Sequence, residues 1–273
     1  MQSLRHFLLA VQFLTRIPVT GRLADWVGYS PALLRASAVH FPGVGWLVGT
    51  WVAGVLALLL ALLPPTDAAR WVAALCATAA GVWLTGAFHE DGLADTADAL
   101  GGAVGRDRAL EIMKDSRIGS YGAMALVLVV LLKCALLALL AARGTALVVV
   151  AVVATQVGTR YALLWLMALL PHVGDAAGSK SKPLADAMDA LGLAKALLWT
   201  APALVLLASA AGAGAALAAT AGAAFAAWRM LALLRRRLGG YTGDGLGATQ
   251  QVTEVAALLA LALALALALG AAP

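Results

Sequence analysis

The amino-acid sequence predicts an all-α fold, a polytopic membrane bundle of about seven transmembrane helices whose N-terminus lies in the cytoplasm. Composition is the first observation behind this prediction. Of the 273 residues, 63% are hydrophobic and 12% are charged, against about 45–50% and about 25% in soluble domains. The second observation is a series of seven apolar stretches, each near the length of about 20 residues that crosses a bilayer as a helix. The third is the one-sided placement of basic residues, which sets the orientation.

The apolar stretches make the whole chain one membrane-embedded domain, which begins with a cytoplasmic or interfacial lead-in at 1–42. Pro18 and Pro31 interrupt this lead-in, so it is not expected to form one long helix. The break between the fifth and sixth spans is expected near Gly212 and Gly214, within one Ala- and Leu-rich run. The seven predicted spans are 43–63, 69–88, 120–142, 146–170, 195–216, 217–234 and 251–271.

Charged residues outside the spans fall mainly on one side of the membrane. The segments of the opposite side contain only Arg70 and Arg143 as basic residues and Asp67 as an acid. Because cytoplasmic segments of membrane proteins are enriched in Lys and Arg, the polar side is predicted to be cytoplasmic. An enzyme acting on cytosolic nucleotides would place its polar groups there, whereas a transporter would place them near mid-membrane. The cytoplasmic segments are the N-terminus, 89–119, 171–194 and 235–250.

The most informative polar segment is an acidic stretch that follows the second span and contains Glu90, Asp91, Asp95 and Asp98. If this stretch is helical, the spacings of four and three residues put the aspartates on one face. Like charges on one face repel each other unless a cation lies among them. Carboxylates are hard oxygen donors that suit Mg²⁺ or Mn²⁺, and such ions commonly hold phosphate. The alternative is a solvated acidic loop, which the helical spacing and the small intervening residues disfavour.

A second polar segment runs from Lys114 through Asp115 and Arg117 to the start of the third span. Backbone N–H groups at a helix N-terminus bind anions, and Lys114 and Arg117 add positive charge. This segment is therefore a candidate phosphate site. The alternative is an ordinary helix start capped by Ser116 or Ser120.

Two further cytoplasmic segments carry candidate ligand-binding residues. Lys180 and Lys182, flanked by hydroxyls, suit either a phosphate clamp or a contact with lipid headgroups. The Gly-rich loop at 235–250 contains Gly243 and Asp244, where the backbone can approach a ligand closely. Asp244 is a candidate metal or ribose contact.

Charged residues inside the spans are expensive to bury in a bilayer, so they usually face the bundle or carry function. Arg160 is the better candidate for substrate binding because it lies deep and precedes Tyr161. For Arg160 and Lys133 the alternative is an ion pair within the bundle. Glu254, at the start of the seventh span, is expected to face the same ligand-binding cleft as Asp244.

Taken together, five motifs resemble the cobalamin synthase family, the adenosylcobinamide-GDP ribazoletransferases. The motifs extend over nearly the whole chain, and their order and spacing agree with the family. They are Arg16-Ile17-Pro18-Val19, Phe41-Pro42-Gly43-Val44-Gly45, the acidic stretch from Phe88 to Asp98, Lys114-Asp115-Ser116-Arg117-Ile118-Gly119-Ser120-Tyr121-Gly122, and Gly243-Asp244-Gly245-Leu246-Gly247-Ala248.

The resemblance implies an inner-membrane enzyme that acts late in cobalamin biosynthesis. Its substrates would be adenosylcobinamide-GDP and α-ribazole or the 5′-phosphate of α-ribazole. Its products would be adenosylcobalamin, or the 5′-phosphate of adenosylcobalamin, and GMP, with Mg²⁺ as cofactor. Apart from the substrates and the lipid bilayer, other corrinoid-pathway enzymes or a second copy of the chain are left open as partners, and no nucleic acid is expected.

The same resemblance assigns roles to the candidate residues. Asp115 has a fixed place in the family and is the expected general base, although Asp98 could exchange this role with it. The metal ligands that hold the diphosphate are expected to be Glu90, Asp91, Asp95 and Asp98. The residues expected to bind phosphate or substrate are Lys114, Arg117, Lys180, Lys182, Gly243, Asp244 and Arg160.

Three other classes of protein compete with this assignment. CDP-alcohol phosphotransferases also use cytosol-facing aspartates, but in their motif an Arg stands where Asp95 follows Ala94 here. A small-molecule transporter could use Lys133, Arg160 and Glu254 as a polar path, although the polar residues are one-sided. A non-catalytic scaffold for corrinoid enzymes would leave the ordered carboxylates unexplained.

Overall fold

The computed structural model describes residues 2–173 and 188–270, and in these residues the chain forms twelve α-helices and no β-strand. Seven of the helices are long and apolar enough to cross a membrane. The prediction of an all-α, seven-span membrane bundle is therefore confirmed. The cytoplasmic placement of the N-terminus stays a prediction.

The helices follow one another with short connections, and the membrane-spanning ones are α4, α5 and α8 to α12. The first spanning segment extends upstream to include α3, from Pro31 to Leu62. The helices are α1 Gln2–Leu14, α2 Gly21–Val27, α3 Pro31–Ser37, α4 Phe41–Leu62, α5 Asp67–Thr85, α6 Phe88–Gly101, α7 Arg106–Ile112, α8 Ser120–Ala141, α9 Thr145–Leu169, α10 Ala190–Ala211, α11 Ala213–Leu238 and α12 Gly243–Gly270.

Glycines with positive φ lie at several helix boundaries, and two of these boundaries bear on the predicted spans. Gly212, with φ of +85°, lies between α10 and α11. It marks the break that the sequence predicts in this Ala-rich run, a few residues before the expected boundary. Gly86, with φ of +70°, ends α5, and Ala87, with φ of +60°, precedes α6. The second span therefore ends at Thr85, before the acidic residues, because the chain turns at Gly86.

The lead-in folds back on the end of the bundle where α6 begins. Helix α1 buries Leu9 and Leu14 among the core residues. Arg5 fixes the turn after α2 by donating from Nε and Nη2 to the carbonyl oxygen of Val27, at 3.2 and 3.0 Å. The backbone N–H of Arg16 then donates to the carbonyl oxygen of Leu84 at 2.7 Å. The lead-in is thus three short helices fixed to the bundle, as its prolines indicate.

The Gly-rich segment differs from the expected loop, because most of its glycines are helical. Helix α11 continues to Leu238, and α12 begins at Gly243, so only 239–242 lies outside a helix. Thr242 Oγ1 accepts the backbone N–H of Gly245 at 3.0 Å and so caps the first turn of α12. The small residues allow this first turn to pack directly against α6. This contact positions Asp244 beside the acidic helix.

Candidate functional site

The acidic stretch is helical throughout, as its spacing predicts, and the helix α6 ends at Gly101, with Gly102 as its C-cap. Asp91 is exposed, whereas Asp95 is half-buried on the same face. Burial, followed by the nearby charges of Asp91, Asp244 and Asp98, raises the pKa of the Asp95 carboxyl to about 7. The aspartates are therefore close enough to repel one another strongly.

Asp244 reaches this face because the backbones of α6 and α12 touch. A Cβ atom on Gly92 would lie 2.8 Å from the carbonyl oxygen of Asp244 and 3.2 Å from the Cα atom of Gly247. Gly92 is buried in this contact, so neither helix could approach as closely with a side chain there. The contact brings an aspartate from a distant part of the chain beside Asp91 and Asp95. None of these three aspartates takes part in an ion pair within residues 2–173 and 188–270.

Asp98 has different partners from the other aspartates. Its Oδ2 accepts the backbone N–H of Gly119 at 2.7 Å, and its Oδ1 accepts the backbone N–H of Gly122 at 2.8 Å. These are the free N–H groups at the start of α8. A Cβ atom on either glycine would collide with the Asp98 carboxylate. Asp98 therefore caps α8, where the sequence suggested Ser116 or Ser120.

This capping changes the expected phosphate site at the start of α8. Two of the N–H groups at this helix start, those of Gly119 and Gly122, are bonded to the Asp98 carboxylate. A phosphate placed there would also lie beside the negative charge of Asp98. The α8 N-terminus is thus the joint between α6 and α8.

Glu90 points into the bundle and away from the aspartates. Its Oε1 accepts a hydrogen bond from Gln251 Nε2 at 2.9 Å, while its Oε2 is buried and has no hydrogen-bond partner among the described residues. The side chain lines an internal cavity together with His89 and Arg160. The carboxylates of the acidic stretch thus divide into an outward pair, a helix cap and an inward glutamate.

Asp115 and Arg117 form a bidentate ion pair in the connection between α7 and α8. Arg117 Nε lies 2.9 Å from Asp115 Oδ1, and Arg117 Nη2 lies 2.5 Å from Asp115 Oδ2. The side-chain hydrogen bonds from Arg117, followed by its backbone N–H, lower the pKa of the Asp115 carboxyl to about 2. Arg117 therefore holds the Asp115 carboxylate in its charged form. Lys114 is exposed beside this pair.

A second group of polar residues is buried inside the bundle, next to Glu90 of α6. Lys133 Nζ is 3.1 Å from Glu254 Oε2 and 2.8 Å from Gln251 Oε1. The alternative of an ion pair within the bundle is therefore correct for Lys133. Gln251 binds both Lys133 and Glu90, so it connects α8 and α6 through α12. Such fully buried charges are tolerated because each is paired.

Arg160 is buried in the same group but binds an amide. Its Nη1 donates to Gln156 Oε1 at 2.6 Å and to the Gln156 carbonyl oxygen at 2.9 Å. Gln156 in turn donates to Glu254 Oε1 at 2.8 Å. Arg160 is 1% exposed and has no direct route to a cytosolic substrate in this arrangement. The cavity beside it measures about 30 Å³, which is room for a water molecule or two.

The buried glutamines are the residues that the sequence interpretation missed. Gln156, Gln250 and Gln251 are each at most 6% exposed within spanning helices. An amide in an apolar helix must bond to another polar group inside the bundle. The glutamines in the spans could therefore have been predicted from sequence as partners of Lys133 and Arg160. His89 was also missed as a buried group. Burial, followed by the charges of Arg160 and Lys133, lowers the pKa of its imidazole well below 6.5.

Arginines fasten the end of the acidic helix to α11. Arg237 donates to the carbonyl oxygens of Leu100, Gly102 and Val104 at 3.0, 2.9 and 3.2 Å. In return, Arg106 Nε donates to the carbonyl oxygen of Leu238 at 2.7 Å. Arg237 thus satisfies carbonyl groups at and just beyond the C-terminal end of α6. Arg106, at the start of α7, satisfies one at the C-terminal end of α11. These bonds hold the aspartate face in place beside α12.

A divalent ion is compatible with the donors on this face. Among the described residues, no three His, Cys, Asp or Glu side chains converge on one metal position. Mg²⁺, however, is commonly held by one or two carboxylates together with substrate phosphates and water. Asp91, Asp95 and Asp244 can supply such carboxylates, because no basic side chain among the described residues is paired with them. Lys180 and Lys182 lie outside the described residues.

Comparison with known proteins identifies the family of the chain. The family model for cobalamin-5-phosphate synthase matches residues 6–262 of the chain. An adenosylcobinamide-GDP ribazoletransferase of Polaromonas naphthalenivorans is 55% identical, covering 96% of this chain and 98% of its own. One of Albidiferax ferrireducens is 54% identical over 95% and 98% of the two chains. One of Shewanella woodyi is 40% identical over 95% and 96%.

No solved structure matches the chain. The family match extends from α1 into α12 and so includes both helices that carry the aspartates. The relatives match over nearly their whole lengths, so the similarity is not confined to the membrane spans. The chain therefore belongs to the cobalamin-5-phosphate synthase family.

Proposed function

We propose that the protein transfers the adenosylcobinamide-phosphate group of adenosylcobinamide-GDP to α-ribazole or its 5′-phosphate, with release of GMP. The products are adenosylcobalamin or its 5′-phosphate. The names of relatives that are 40–55% identical support the reaction. The single structural observation that supports it is the meeting of Asp91 and Asp95 on α6 with Asp244 on α12. We place this face at the cytoplasmic side of a bacterial inner membrane, where the basic segments also lie.

The aspartate face is the proposed binding site for Mg²⁺ and the diphosphate. Asp91, Asp95 and Asp244 would hold the ion, and Mn²⁺ is a second candidate because it prefers the same oxygen donors. A bound divalent ion neutralises charge that develops on a diphosphate during transfer. Asp98 and Glu90 act at a distance from the ion. Asp98 fixes the start of α8, and Glu90 fixes the inner side of α6.

The reaction is a substitution at phosphorus. The attacking ribose hydroxyl forms a new P–O bond to the phosphorus next to the cobinamide, and the P–O bond to GMP breaks. The hydroxyl proton passes to a carboxylate base, for which Asp115 and Asp98 remain the two proposed residues. Most of the rate enhancement then comes from holding the two substrates in line and from charge neutralisation.

Basic residues around the aspartate face would hold the phosphates and the leaving GMP. Arg117 is 86% exposed, and Asp115 orients its guanidinium in a fixed plane, which suits a bidentate contact with phosphate. Lys114 lies beside this pair. Gly243 offers backbone N–H at the positive end of α12, next to Asp244. Lys180 and Lys182 remain proposed contacts in the segment before α10.

The direct test uses purified protein in detergent with GDP-cobinamide, α-ribazole and Mg²⁺. GMP release is expected to match the formation of the corrinoid product, one for one. The variants Asp95→Asn and Asp244→Asn are expected to lose about 100-fold or more of the activity. Asp67→Asn is the matched control, because Asp67 is an exposed aspartate at the other end of the bundle. Full Mg²⁺-dependent activity of both site variants would refute the proposed metal site.

A further inference from the structure

An apolar groove lies on the side of the bundle formed by α9, α10 and α11. It has a volume of about 660 Å³, within the range of about 300–1,000 Å³ that is typical of ligand sites. Trp165 and Trp228 line it and are 45% and 58% exposed. Both tryptophans belong to membrane-spanning helices, so the groove faces the lipid.

Among the described residues that line the groove, Arg235 is the only charged one. Its threonine hydroxyls are already used within their own helices, where Thr200 donates to Ala196 and Thr220 to Ala216 at 3.1 and 2.9 Å. Arg235 lines the end that lies beside Leu169. Its only hydrogen bond among the described residues is a long one of 3.4 Å, from Nη2 to the Leu169 carbonyl oxygen. The site therefore suits a ligand with a long apolar body and a single anionic head.

The length of the groove fits one acyl chain. Its wall on α9 runs from Ala154 to Leu169, and its wall on α11 runs from Ala219 to Arg235. At about 1.5 Å per residue, each wall is about 22–24 Å long. One leaflet contributes about half of the hydrocarbon thickness of about 30 Å. An acyl chain whose headgroup lies at Arg235 would thus be enclosed over its whole length.

We propose that this groove binds one anionic phospholipid, with its phosphate at Arg235 and one acyl chain between α9, α10 and α11. The charge of Arg235 selects an anionic headgroup, since a basic residue near an anionic lipid surface contributes about 1 kcal/mol, or about fivefold in affinity. The neighbouring arginines serve other purposes. Arg237 is bonded to the end of α6, and Arg236 is exposed outside the groove. The lipid site does not depend on the proposed reaction.

Two pairs of variants test this site. Arg235→Gln removes the headgroup contact, and Arg236→Gln is its control with the same change of charge. Ala224→Phe fills the groove from its open side, and Ala221→Phe is its control on an exposed face of α11 outside the groove. Each protein is reconstituted with phosphatidylglycerol in excess phosphatidylcholine, extracted in mild detergent and weighed by native mass spectrometry. The readout is phospholipid retained per chain.

The unmodified protein is expected to retain one phosphatidylglycerol per chain and to disfavour phosphatidylcholine. Arg235→Gln is expected to reduce this retention about fivefold, and Ala224→Phe to abolish it, while both controls behave as the unmodified protein. Equal retention by Arg235→Gln and Arg236→Gln, retention unaffected by Ala224→Phe, or no lipid on the unmodified protein would each overturn the proposal. Thermal unfolding of all four variants confirms that each is folded before it is weighed.

Discussion

The carboxylate of Asp98 accepts the backbone N–H of Gly122 at 2.8 Å and so joins the acidic helix to the start of the third spanning helix. Asp95, three residues earlier, has no such partner in the described part of the chain and lies among other carboxylates. Two aspartates one turn apart therefore do different work. Asp98 stabilises the fold, and Asp95 is available for a ligand.

Substitution of these two aspartates is expected to separate stability from activity. Asp98→Ala leaves the Gly119 and Gly122 N–H groups without an acceptor and should lower the free energy of unfolding by about 1–2 kcal/mol, as for other helix caps. Asp95→Asn removes a repelled charge and should leave the protein at least as stable, yet inactive. Thermal unfolding in detergent and GMP release measure the two properties. An Asp95→Asn variant that is active, or an Asp98→Ala variant of unchanged stability, would contradict the assignment.

The pKa of Asp95 predicts a pH dependence for Mg²⁺ binding. Because the pKa is raised to about 7, protons compete with Mg²⁺ for the carboxylate at lower pH. The apparent Mg²⁺ affinity should fall up to about tenfold per pH unit below pH 7 and level off above it. Titration of Mg²⁺ into the protein at several pH values measures this. An affinity that does not change between pH 5.5 and 7 would exclude Asp95 as a ligand.

The raised pKa of Asp95 also predicts how the stability of the protein depends on pH when no metal is bound. A raised pKa means that the folded protein binds the Asp95 proton more tightly than the unfolded chain, whose pKa is near 3.8. The stability that this carboxyl contributes is therefore full below about pH 4 and is lost as pH rises through about 7. Mg²⁺ should restore stability at pH 8 in the unmodified protein and not in Asp95→Asn. Unfolding at pH 8 with and without Mg²⁺ measures the difference.

The ion pair of Asp115 and Arg117 predicts that these residues act as a unit. Asp115→Asn and Arg117→Gln should each raise KM for adenosylcobinamide-GDP by a similar factor, and the double variant should raise it no further. A general base at Asp115 would instead lower kcat, by about 10²–10⁴-fold, with little effect of Arg117→Gln on kcat. Steady-state kinetics of the three variants distinguish the two roles.

The buried pair of Lys133 and Glu254 is expected to be essential to the fold. Glu254→Gln leaves Lys133 as an uncompensated charge inside the bundle, which should cost about 3–5 kcal/mol. Lys133→Met combined with Glu254→Met should recover part of this loss, because neither charge then remains. Recovery is incomplete because Gln156 and Gln250 lose the carboxylate that accepts their hydrogen bonds. Unfolding in graded detergent mixtures measures the order of stability, and a fully stable Glu254→Gln variant would contradict it.

The turn between α5 and α6 predicts a stabilising substitution. Ala87 adopts φ of +60°, which costs a residue with a Cβ atom about 1 kcal/mol relative to glycine. Ala87→Gly should therefore raise stability slightly, by less than this amount because glycine is freer when unfolded. Gly86→Ala should be destabilising, because a Cβ atom there would lie 2.6 Å from Arg16 Nε. Equal melting temperatures for the two variants would refute this account.

Composition and periodicity were sufficient to predict the seven spans, the helical acidic stretch and the break near Gly212. These features depend on local sequence: hydrophobic length, carboxylate spacing and glycine. The partners of individual side chains could not be predicted in the same way. Asp98 and Asp95 have the same chemistry and differ only in what α8 and α12 bring near them. Likewise, the inward direction of Glu90 depends on Gln251, which is 161 positions away.

Gly92 and Asp244 meet through main-chain atoms, with no side chain between them at this crossing. The spacing of the two backbones at this point is therefore set by van der Waals contact. The two main chains form a rigid base for the aspartate carboxylates, and this base does not change with side-chain rotamers. Any residue larger than glycine at position 92 would widen the crossing, because even a Cβ atom would lie 2.8 Å from the carbonyl oxygen of Asp244.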